Sequence, residues 1–461
     1  MSKTEILKVN NTSIIKKVLI IIVVFVVLTI MIGTKNINKI DHAMFVTAIG
    51  IDKSPTDPNK ILVTFQIVPP QVTSQSSTDV SKVIVTSLNE DSLEKAVAAT
   101  HNYMSALINF SHTRAIVFSE EIARNGILKY LNSISSNHMY DTNMYVLVSR
   151  SSAQKYLESM SQTDEVNPIL YYNIIRNSFN ISSTTKPVTV MQFLKQLYDP
   201  YVDPTSAVCN VISNSKTANL MTNNKKPTLA ESSDPINYSD KESQNPSSGA
   251  TSSSKNNDNS EGKIDNTKNS DENIIQQKSN VKIEIGGMAV FSDDKLVGFL
   301  NLDETAYHLM LNNKIKSYYL SIKHPGEKEK VVKTNIRLGQ IYKAKVHVNL
   351  KSDTPLIDIL VPLSAYILDT EDKTYDFYNE EYMNKMKEYI IKELEKNVLS
   401  YTKKLQNDYM IDIDDYIEYC KDNFLTSKEM NEYDWKSKYL KAKIKVNFDI
   451  RFLTTGLSVE K

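Results

Sequence analysis

The sequence predicts a mixed α/β and α+β protein, whose exported body of mixed sheets and packed helices stands behind one N-terminal transmembrane helix. An uncharged apolar run at 18–34 predicts the anchor. Strand-like and helix-like segments alternate over 40–165, and the last third of the chain joins period-two strands to a long amphipathic helix. The chain outside the apolar run and a polar tract at 213–280 suffices for two or three domains.

The apolar run lies at the short end of what crosses a bilayer core, which takes about 17–25 residues. Lys16 and Lys17 precede it and Lys35 follows it, so lysines at both ends can reach the lipid headgroups. A cleaved signal peptide is the alternative, but a large isoleucine stands where signal peptidase prefers a small residue. More lysines precede the run than follow it, which predicts a cytoplasmic tail at 1–17 and an exported body.

The composition argues against several classes of function. The 461 residues include 54 basic and 54 acidic side chains, so no basic excess indicates a nucleic-acid surface. Only Cys209 and Cys420 could form a disulfide, and a bridge between them is possible. An exported body with so few thiols must depend on its hydrophobic cores rather than on a disulfide framework.

An N-terminal mixed α/β domain is predicted over 40–165. Strands are predicted at 43–51, 61–68, 83–86, 114–118 and 144–148, and helices at 91–107, after Ser119, at 127–134 and through Met160. Ser119 is expected to be the N-cap of a short helix, and Gly126 is expected to end it.

A middle region is predicted over 166–334, interrupted by the tract at 213–280. This tract is rich in Ser, Asn, Lys, Asp and Thr, and it cannot bury enough apolar surface to offset its chain entropy. We therefore predict that it is disordered. On either side, 168–201 is predicted to be helical and 281–300 to be a hairpin, and Asp303 is expected to be the N-cap of the next helix.

The C-terminal α+β domain, predicted over 335–461, has the clearest pattern. Apolar and polar residues alternate over 344–350 and 442–452, which predicts two strands with one buried face each. Between them, 379–406 is predicted to be a long amphipathic helix. We expect an antiparallel sheet with this helix packed on one face.

No catalytic motif is found in the sequence. There is no phosphate-binding glycine loop, no nucleophile elbow and no H-E-x-x-H. The seven histidines are scattered, which favours surface or cap positions over metal ligands. Asp412, Asp414 and Asp415 lack the rest of a calcium loop, and the Asp293–Asp294 pair suits a solvated turn. We predict no catalytic residue, cofactor or metal, and a binding or scaffolding role.

Four blocks stand in order along the predicted exported part. They are VTAIGIDK at 46–53 with VTFQIVPP, HTRAIVF at 112–118 with SEEIARNGI, GMAVF at 287–291 with DKLVG and DET, and KKLQNDYMIDI at 403–413 with Trp435 and a closing strand. Together they resemble the C-subunit family of bacterial spore germinant receptors, the Ger(x)C proteins. The motif positions in these blocks are Gly50, Asp52, Arg114, Gly126, Gly287, Gly298 and Glu304.

The glycines in these blocks are expected to have structural roles. Gly50 would let a strand pass close to neighbouring backbone, and Gly126 would be a C-cap. Gly286 and Gly287 would shape a bulge or bend before the hairpin.

The resemblance implies a non-enzymatic subunit with three mixed α/β domains on the outer face of the spore inner membrane. Its partners would be an A-type subunit and a permease-like B-type subunit, in a complex that senses small nutrient germinants and triggers germination. Family members usually carry an acylated lipobox cysteine, but no cysteine precedes Cys209 here. The apolar run is therefore expected to replace the lipid and to contact membrane lipid itself.

Two other functions are compatible with an anchored, exported chain. One is an enzyme acting on the spore cortex or cell wall through a carboxylate pair. The other is a solute-binding protein, which would need a two-lobed α/β architecture with a hinge; the predicted C-terminal domain argues against it.

Overall fold

The computed structural model describes residues 15–29, 43–68, 83–104, 106–160, 171–213, 281–326, 330–372 and 376–453. They form an N-terminal helix, α1 (15–29), and two units that are each built on one sheet. Most of the predicted tail, Lys35 at the end of the predicted anchor, and nearly all of the predicted disordered tract lie outside the described residues. Ser213, the first residue of that tract, is instead the last residue of a strand.

Helix α1 covers most of the predicted anchor and begins three residues before it. Its apolar side chains are exposed, from 47% for Val26 to 68% for Phe25. Lys16 and Lys17 lie in its first turn and are exposed as well. Within the described part of the chain, no helix has both the length and the apolar character needed to cross a membrane.

In the residues that the structure describes, the first unit contains nine strands and six helices. The strands are β1 (Ala43–Lys53), β2 (Ile61–Val68), β3 (Ile84–Glu90), β4 (Leu107–Asn109), β5 (Ala115–Ser119), β6 (Tyr145–Ser149), β7 (Thr205–Ser213), β8 (Val281–Ser292) and β9 (Lys295–Leu300). The helices are α2 (Leu93–Tyr103), α3 (Glu120–Asn125), α4 (Leu128–Ser136), α5 (Ala153–Met160), α6 (Asn173–Ser182) and α7 (Val190–Leu197).

These strands form one mixed sheet in the order β3-β2-β1-β5-β6-β7-β8-β9, with β4 beside β1. Strands β1, β5, β6 and β7 are parallel, and the outer pairs are antiparallel. Helices α2, α3, α4 and α7 contribute to one apolar core, and α5 and α6 contribute to another. Alternate residues of the central strands enter different cores, so the sheet is covered on both faces.

The predicted helix at 91–107 is too long. Helix α2 ends at Tyr103, and Leu107 begins β4, which pairs in parallel with the start of β1. Pairing with a distant strand overrides the local helical periodicity here. Strands β7 to β9 continue the first sheet, so the predicted boundary at 165/166 does not coincide with a break in that sheet.

The two glycines form a bulge, as predicted, but it lies within β8, in its pairing with β7, rather than before the hairpin β8–β9. Ile285 pairs with Cys209 and Met288 pairs with Ala207, so two glycines stand opposite one residue of β7 in a bulge. The following helix begins differently from the prediction. Asn301, rather than Asp303, is the N-cap, because its side chain accepts the backbone N–H of Glu304 in a capping box.

Over its described residues, the second unit contains five strands and four helices. They are α8 (Leu302–Leu311), β10 (Tyr318–Pro325), β11 (Val331–Gln340), β12 (Lys345–Asn349), β13 (Leu356–Thr370), α9 (Glu380–Lys403), α10 (Ser427–Glu432), α11 (Trp435–Tyr439) and β14 (Lys443–Phe452). A π-helical turn, Lys404–Tyr409, continues α9, and 3-10 turns lie at Tyr416–Tyr419 and Lys421–Asn423.

This sheet has the order β10-β11-β13-β12, with β14 beside β13. The predicted antiparallel sheet is wrong at one pair, since β14 runs parallel to β13. The long central strand β13 was not predicted, and the predicted boundary at 334/335 falls within β11. The core of this unit includes Met288, Val290 and Leu300 of the first sheet, so the two units share apolar packing. Cys209 and Cys420 are both buried and free.

Candidate functional site

A group of polar side chains is buried where the two units meet. Its members are 8% exposed or less and come from five separate places in the chain, and we call them the buried polar cluster: Lys186 between α6 and α7, Thr205 at the start of β7, His308 on α8, Tyr401 on α9, and Asp414 after α9. The first two belong to the first unit and the last three to the second.

The cluster is a continuous chain of hydrogen bonds. Lys186 Nζ lies 3.1 Å from Thr205 Oγ1 and 3.1 Å from His308 Nε2. His308 Nδ1 lies 2.8 Å from Asp414 Oδ1, and Tyr401 donates its hydroxyl to both Asp414 oxygens, at 3.0 and 3.1 Å. Because Lys186 donates to Nε2, the imidazole proton is on Nδ1 and is donated to Asp414. His308 is therefore neutral in this arrangement.

Burial opposes charge at both basic members of the cluster. The pKa of His308 is lowered to about 4, chiefly by desolvation and also by the nearby charge of Lys186. Desolvation also lowers the pKa of Lys186 to about 7, with a smaller contribution from Lys314. A second proton, on His308 Nε2, would point at the Lys186 amine. The hydrogen-bond geometry and the lowered pKa therefore both favour the neutral histidine.

The backbone of the first unit fixes the segment that carries Lys186. Gly287 donates its N–H to the carbonyl of Thr184 at 2.8 Å, and Thr185 forms a bridge with the same glycine. Gly287 has φ +84°, and a Cβ there would lie 2.7 Å from the carbonyl oxygen of Leu300. Only glycine suits this combination of positive φ and close approach. The predicted bulge thus positions the lysine.

Two aspartates extend the polar contact between the units. The Asp412 N–H donates to Asp203 Oδ2 at 2.9 Å, and Lys436 Nζ lies 3.1 Å from Asp203 Oδ1. Trp435 Nε1 donates to Asp412 Oδ2 at 2.9 Å, and the Asp414 N–H donates to Asp412 Oδ1 at 3.1 Å. Desolvation raises the pKa of Asp412 to about 8, against the hydrogen bond from Trp435, which lowers it. These carboxylates are satisfied by protein donors.

A second contact between the units brings together two predicted motif positions. Glu304 Oε2 lies 2.8 Å from Lys404 Nζ, which also donates to the carbonyl of Phe299 at 3.2 Å. Tyr409 donates its hydroxyl to the same carbonyl at 2.8 Å. The Tyr409 ring lies directly on Gly298, where a Cβ would overlap it. The end of α9 is thereby fixed against β9.

Gly50 and Asp52 together position α5. Asp52 accepts the N–H groups of Ala153 and Gln154, both at 2.8 Å, at the start of that helix. A Cβ on Gly50 would lie 3.0 Å from the Leu157 side chain and 3.2 Å from that of Ala153, so glycine lets α5 pack closely on β1, whereas the predicted approach was to neighbouring backbone. Burial raises the pKa of Asp52, while the two backbone donors lower it. The role of these residues is helix docking.

Gly126 and Arg114 lie away from the buried polar cluster. Gly126 is the C-cap of α3 with φ +106°. Asp294 accepts the Leu128 N–H at 3.0 Å and so helps to fix the start of α4. This structural role of Asp294 differs from the solvated turn that was expected for the Asp293–Asp294 pair. The side chain of Arg114 is exposed, and its backbone N–H donates to Thr47.

The sequence did not identify the cluster. His308 and His324 are 0% and 3% exposed, so the expected surface or cap position is wrong for both. Asp412 and Asp414 are as buried as Ile411 and Ile413, although alternation of polar and apolar residues predicts that the polar ones face solvent. The local pattern is therefore misleading for the two acids. No local signal marks Lys186 either, because its burial depends on contacts with distant elements.

The cluster resembles a proton relay in the order of its groups, but it includes no accessible nucleophile. Its hydrogen-bonding atoms are paired within the protein, and its members are buried. A pocket of about 160 Å³ lies elsewhere, on the second unit, beside His324, Asp372, Tyr382 and Tyr389. Among the described residues, no group of His, Cys, Asp and Glu could hold a metal ion. The arrangement can fix the two units together and can link their contact to protonation.

Comparisons with known proteins relate both units to spore germination. A family model described as "Spore germination protein N-terminal domain" matches residues 36–211, and one described as "Spore germination B3/ GerAC like, C-terminal" matches residues 286–456. A solved structure, described as "Crystal Structure of the GerBC protein", is 14% identical with a TM-score of 0.48, covering 88% of this chain and 97% of that chain. No curated protein matches the chain.

Proposed function

The chain belongs to the C-subunit family of spore germinant receptors, the Ger(x)C proteins, and we propose that it is a non-enzymatic, membrane-tethered subunit of such a receptor. Family membership gives the chain a role in spore germination. As a receptor subunit it would help to sense small nutrient germinants and trigger germination, beside an A-type and a permease-like B-type subunit.

The order of the two family matches is the observation that carries this proposal. The N-terminal match covers most of the first unit. The C-terminal match covers the end of the first unit and the whole sheet of the second unit, and the polar tract lies between the two matches. The buried polar cluster supports a role without catalysis, because its groups are used to join the units. Binding between proteins needs such a fixed body more than it needs an accessible reactive group.

The exposed apolar side chains of α1 favour a tether in the spore inner membrane. They form a continuous surface that water solvates poorly, with Lys16 and Lys17 at its start. A single-pass segment at 18–34 would leave the body on the outer, non-cytoplasmic face. Such a segment would serve as the anchor in place of the acylated lipobox cysteine that relatives usually carry.

Co-purification tests the receptor role. The full chain would be tagged at its C-terminus in spores and isolated from inner membranes in mild detergent, and its partners would be identified by mass spectrometry. We expect a permease-like protein and a second multi-span subunit in stoichiometric amounts. An unrelated single-pass membrane protein with the same tag is the control. Recovery of the chain alone from several detergents would overturn the proposal.

Carbonate extraction tests the tether separately. The full chain should stay with the membrane pellet, and mass spectrometry should find residues 18–34 in the mature protein. Release of an intact chain by carbonate would contradict the tether. Incubation of the full chain with cortex peptidoglycan addresses the enzyme alternative, and we expect no new reducing ends or amino groups. Sustained release of such groups would establish an enzyme.

A further inference from the structure

One face of the second sheet is exposed and cationic. On β13, Ile357, Ile359 and Val361 are buried in the core to which α9 also contributes, and the residues between them point to the opposite side. Leu356 and Leu360 are 38% and 39% exposed there. We call this side of the sheet, opposite α9, the outer face. An exposed sheet face with large apolar side chains indicates an interaction surface.

Lysines surround the exposed leucines on the outer face. Register places Lys443 beside Leu356 and Lys345 beside Leu360 on the neighbouring strands. Lys445 lies beside Asp358 in the same way. All three lysines are exposed, and within the described residues none of them forms an ion pair. Their charges are therefore available to a partner.

The positive charge extends across the whole sheet. On β10 and β11, Lys323 lies opposite Lys333, and both are exposed. Tyr319, 50% exposed, continues the apolar part of the face beside Arg337. The cationic residues of the outer face outnumber the acidic ones: Lys323, Lys333, Arg337, Lys345, Lys443, Lys445 and Arg451, against Asp358, Asp369, Asp449 and, just past the end of β13 and beside Lys333, Glu371.

Part of the acidic charge on this face is offset by basic neighbours. Asp449 lies 3.6 Å from Arg451 and 3.7 Å from Lys387, whereas Asp369 accepts the neutral side-chain amide of Asn335 and keeps its charge. Around Leu356 and Leu360, three lysines without ion pairs stand beside a single acid, Asp358, so this part of the face carries net positive charge. An anionic partner is the complement of such a surface.

We propose that the outer face binds the surface of a membrane that contains anionic phospholipid. Lysine predominates among its cations, and lysine is depleted in protein–protein interfaces but typical of basic patches at anionic bilayers. Lysine stems can lie along the exposed leucines while their ammonium groups reach phosphates. The proposal does not depend on the receptor role, since the face itself supplies both the charge and the apolar contact.

Lysine reactivity in nanodiscs tests the proposal with the full chain. The chain would be reconstituted in phosphatidylcholine discs and in discs that also contain phosphatidylglycerol, and acetylation of each lysine would be followed by mass spectrometry. We expect Lys345, Lys443 and Lys445 to react about three-fold more slowly in the anionic discs at low salt, and the difference to shrink at high salt. Lys392 and Lys396, exposed on α9, should react equally in both.

A charge-reversed variant and its matched control make the test specific. The triple variant Lys345→Glu, Lys443→Glu and Lys445→Glu should lose the anionic protection of Lys323 and Lys333 on the same face. The control variant reverses three exposed lysines of α9, Lys385→Glu, Lys392→Glu and Lys396→Glu, and should keep it. The buried environment of Trp435, read by its fluorescence, checks that each variant is folded.

Equal acetylation of the outer-face lysines in the two kinds of disc would overturn the proposal. Protection that requires added polyglutamate instead of anionic lipid would also overturn it and would assign the face to an acidic protein. Co-elution of the chain with neutral discs reports on α1 alone. A failure of the tether is therefore distinguishable from a failure of the outer face.

Discussion

His308 on α8 and Asp414 after α9 share a hydrogen bond of 2.8 Å, and neither side chain has any exposed surface. Both residues belong to the second unit, but Lys186 of the first unit donates to the other imidazole nitrogen. One neutral histidine therefore connects the two units. Four measurable consequences follow from this arrangement and from the second contact near Gly298.

Replacement of His308 by leucine should destabilise the protein strongly. The change removes one of the two partners of the buried Lys186 amine and one partner of the Asp414 carboxylate, and breaking a buried charged network costs about 3 kcal/mol. Denaturant unfolding of the full chain in mild detergent gives the free energy of unfolding. The matched control is His347→Leu on β12, which is exposed and should change the free energy by less than about 0.5 kcal/mol. Equal effects of the two changes would contradict this prediction.

Stability should decline as the pH falls from about 6.5 to about 4. The folded pKa of His308 is about 4, below the ordinary value, so in this window the unfolded chain binds a proton that the folded chain does not. Linkage then lowers the free energy of unfolding by up to about 3 kcal/mol across the window. The difference between the wild type and His308→Gln, measured against pH, isolates this contribution from that of the carboxylates. A pH-independent difference would show that His308 does not titrate as expected.

The two units should unfold together. Trp435 is the only tryptophan, it is 2% exposed, and it lies in the second unit, so its fluorescence reports on that unit alone. Far-UV circular dichroism reports on both units. We expect coincident transitions in the wild type, because the units share a core and the buried polar cluster. His308→Leu should separate them, whereas separate transitions in the wild type would refute the coupling.

Gly298→Ala should destabilise the contact between β9 and the end of α9. The added Cβ would overlap the Tyr409 ring, and relief of that overlap disturbs the hydrogen bonds of the tyrosine hydroxyl with Phe299. We expect a loss of about 1–3 kcal/mol. Gly339→Ala is the control, since its nearest neighbour is the flexible Ser364 hydroxyl at 3.2 Å. A larger loss of unfolding free energy for Gly339→Ala than for Gly298→Ala would contradict this prediction.

Local elements were largely predictable because their signals are local. Strands β1, β2, β5 and β6, the hairpin β8–β9 and the helix α9 follow directly from the spacing of apolar residues. The glycine bulge at Gly287 was predicted for the same reason, since backbone permissiveness is a property of one residue. Strand β13 was missed although its apolar and polar residues alternate, and Leu107 was assigned to a helix although it pairs with β1.

The sequence by itself determined many of the strands and helices, and it determined the family, because periodicity and motif order are properties of the chain itself. The tertiary structure alone decided that Lys186, His308 and Asp414 form one cluster. The lysine and the histidine are 122 residues apart, and the histidine and the aspartate are 106 apart. Burial of a polar group depends on what the rest of the fold places around it, and that environment cannot be obtained from the neighbouring residues in the chain.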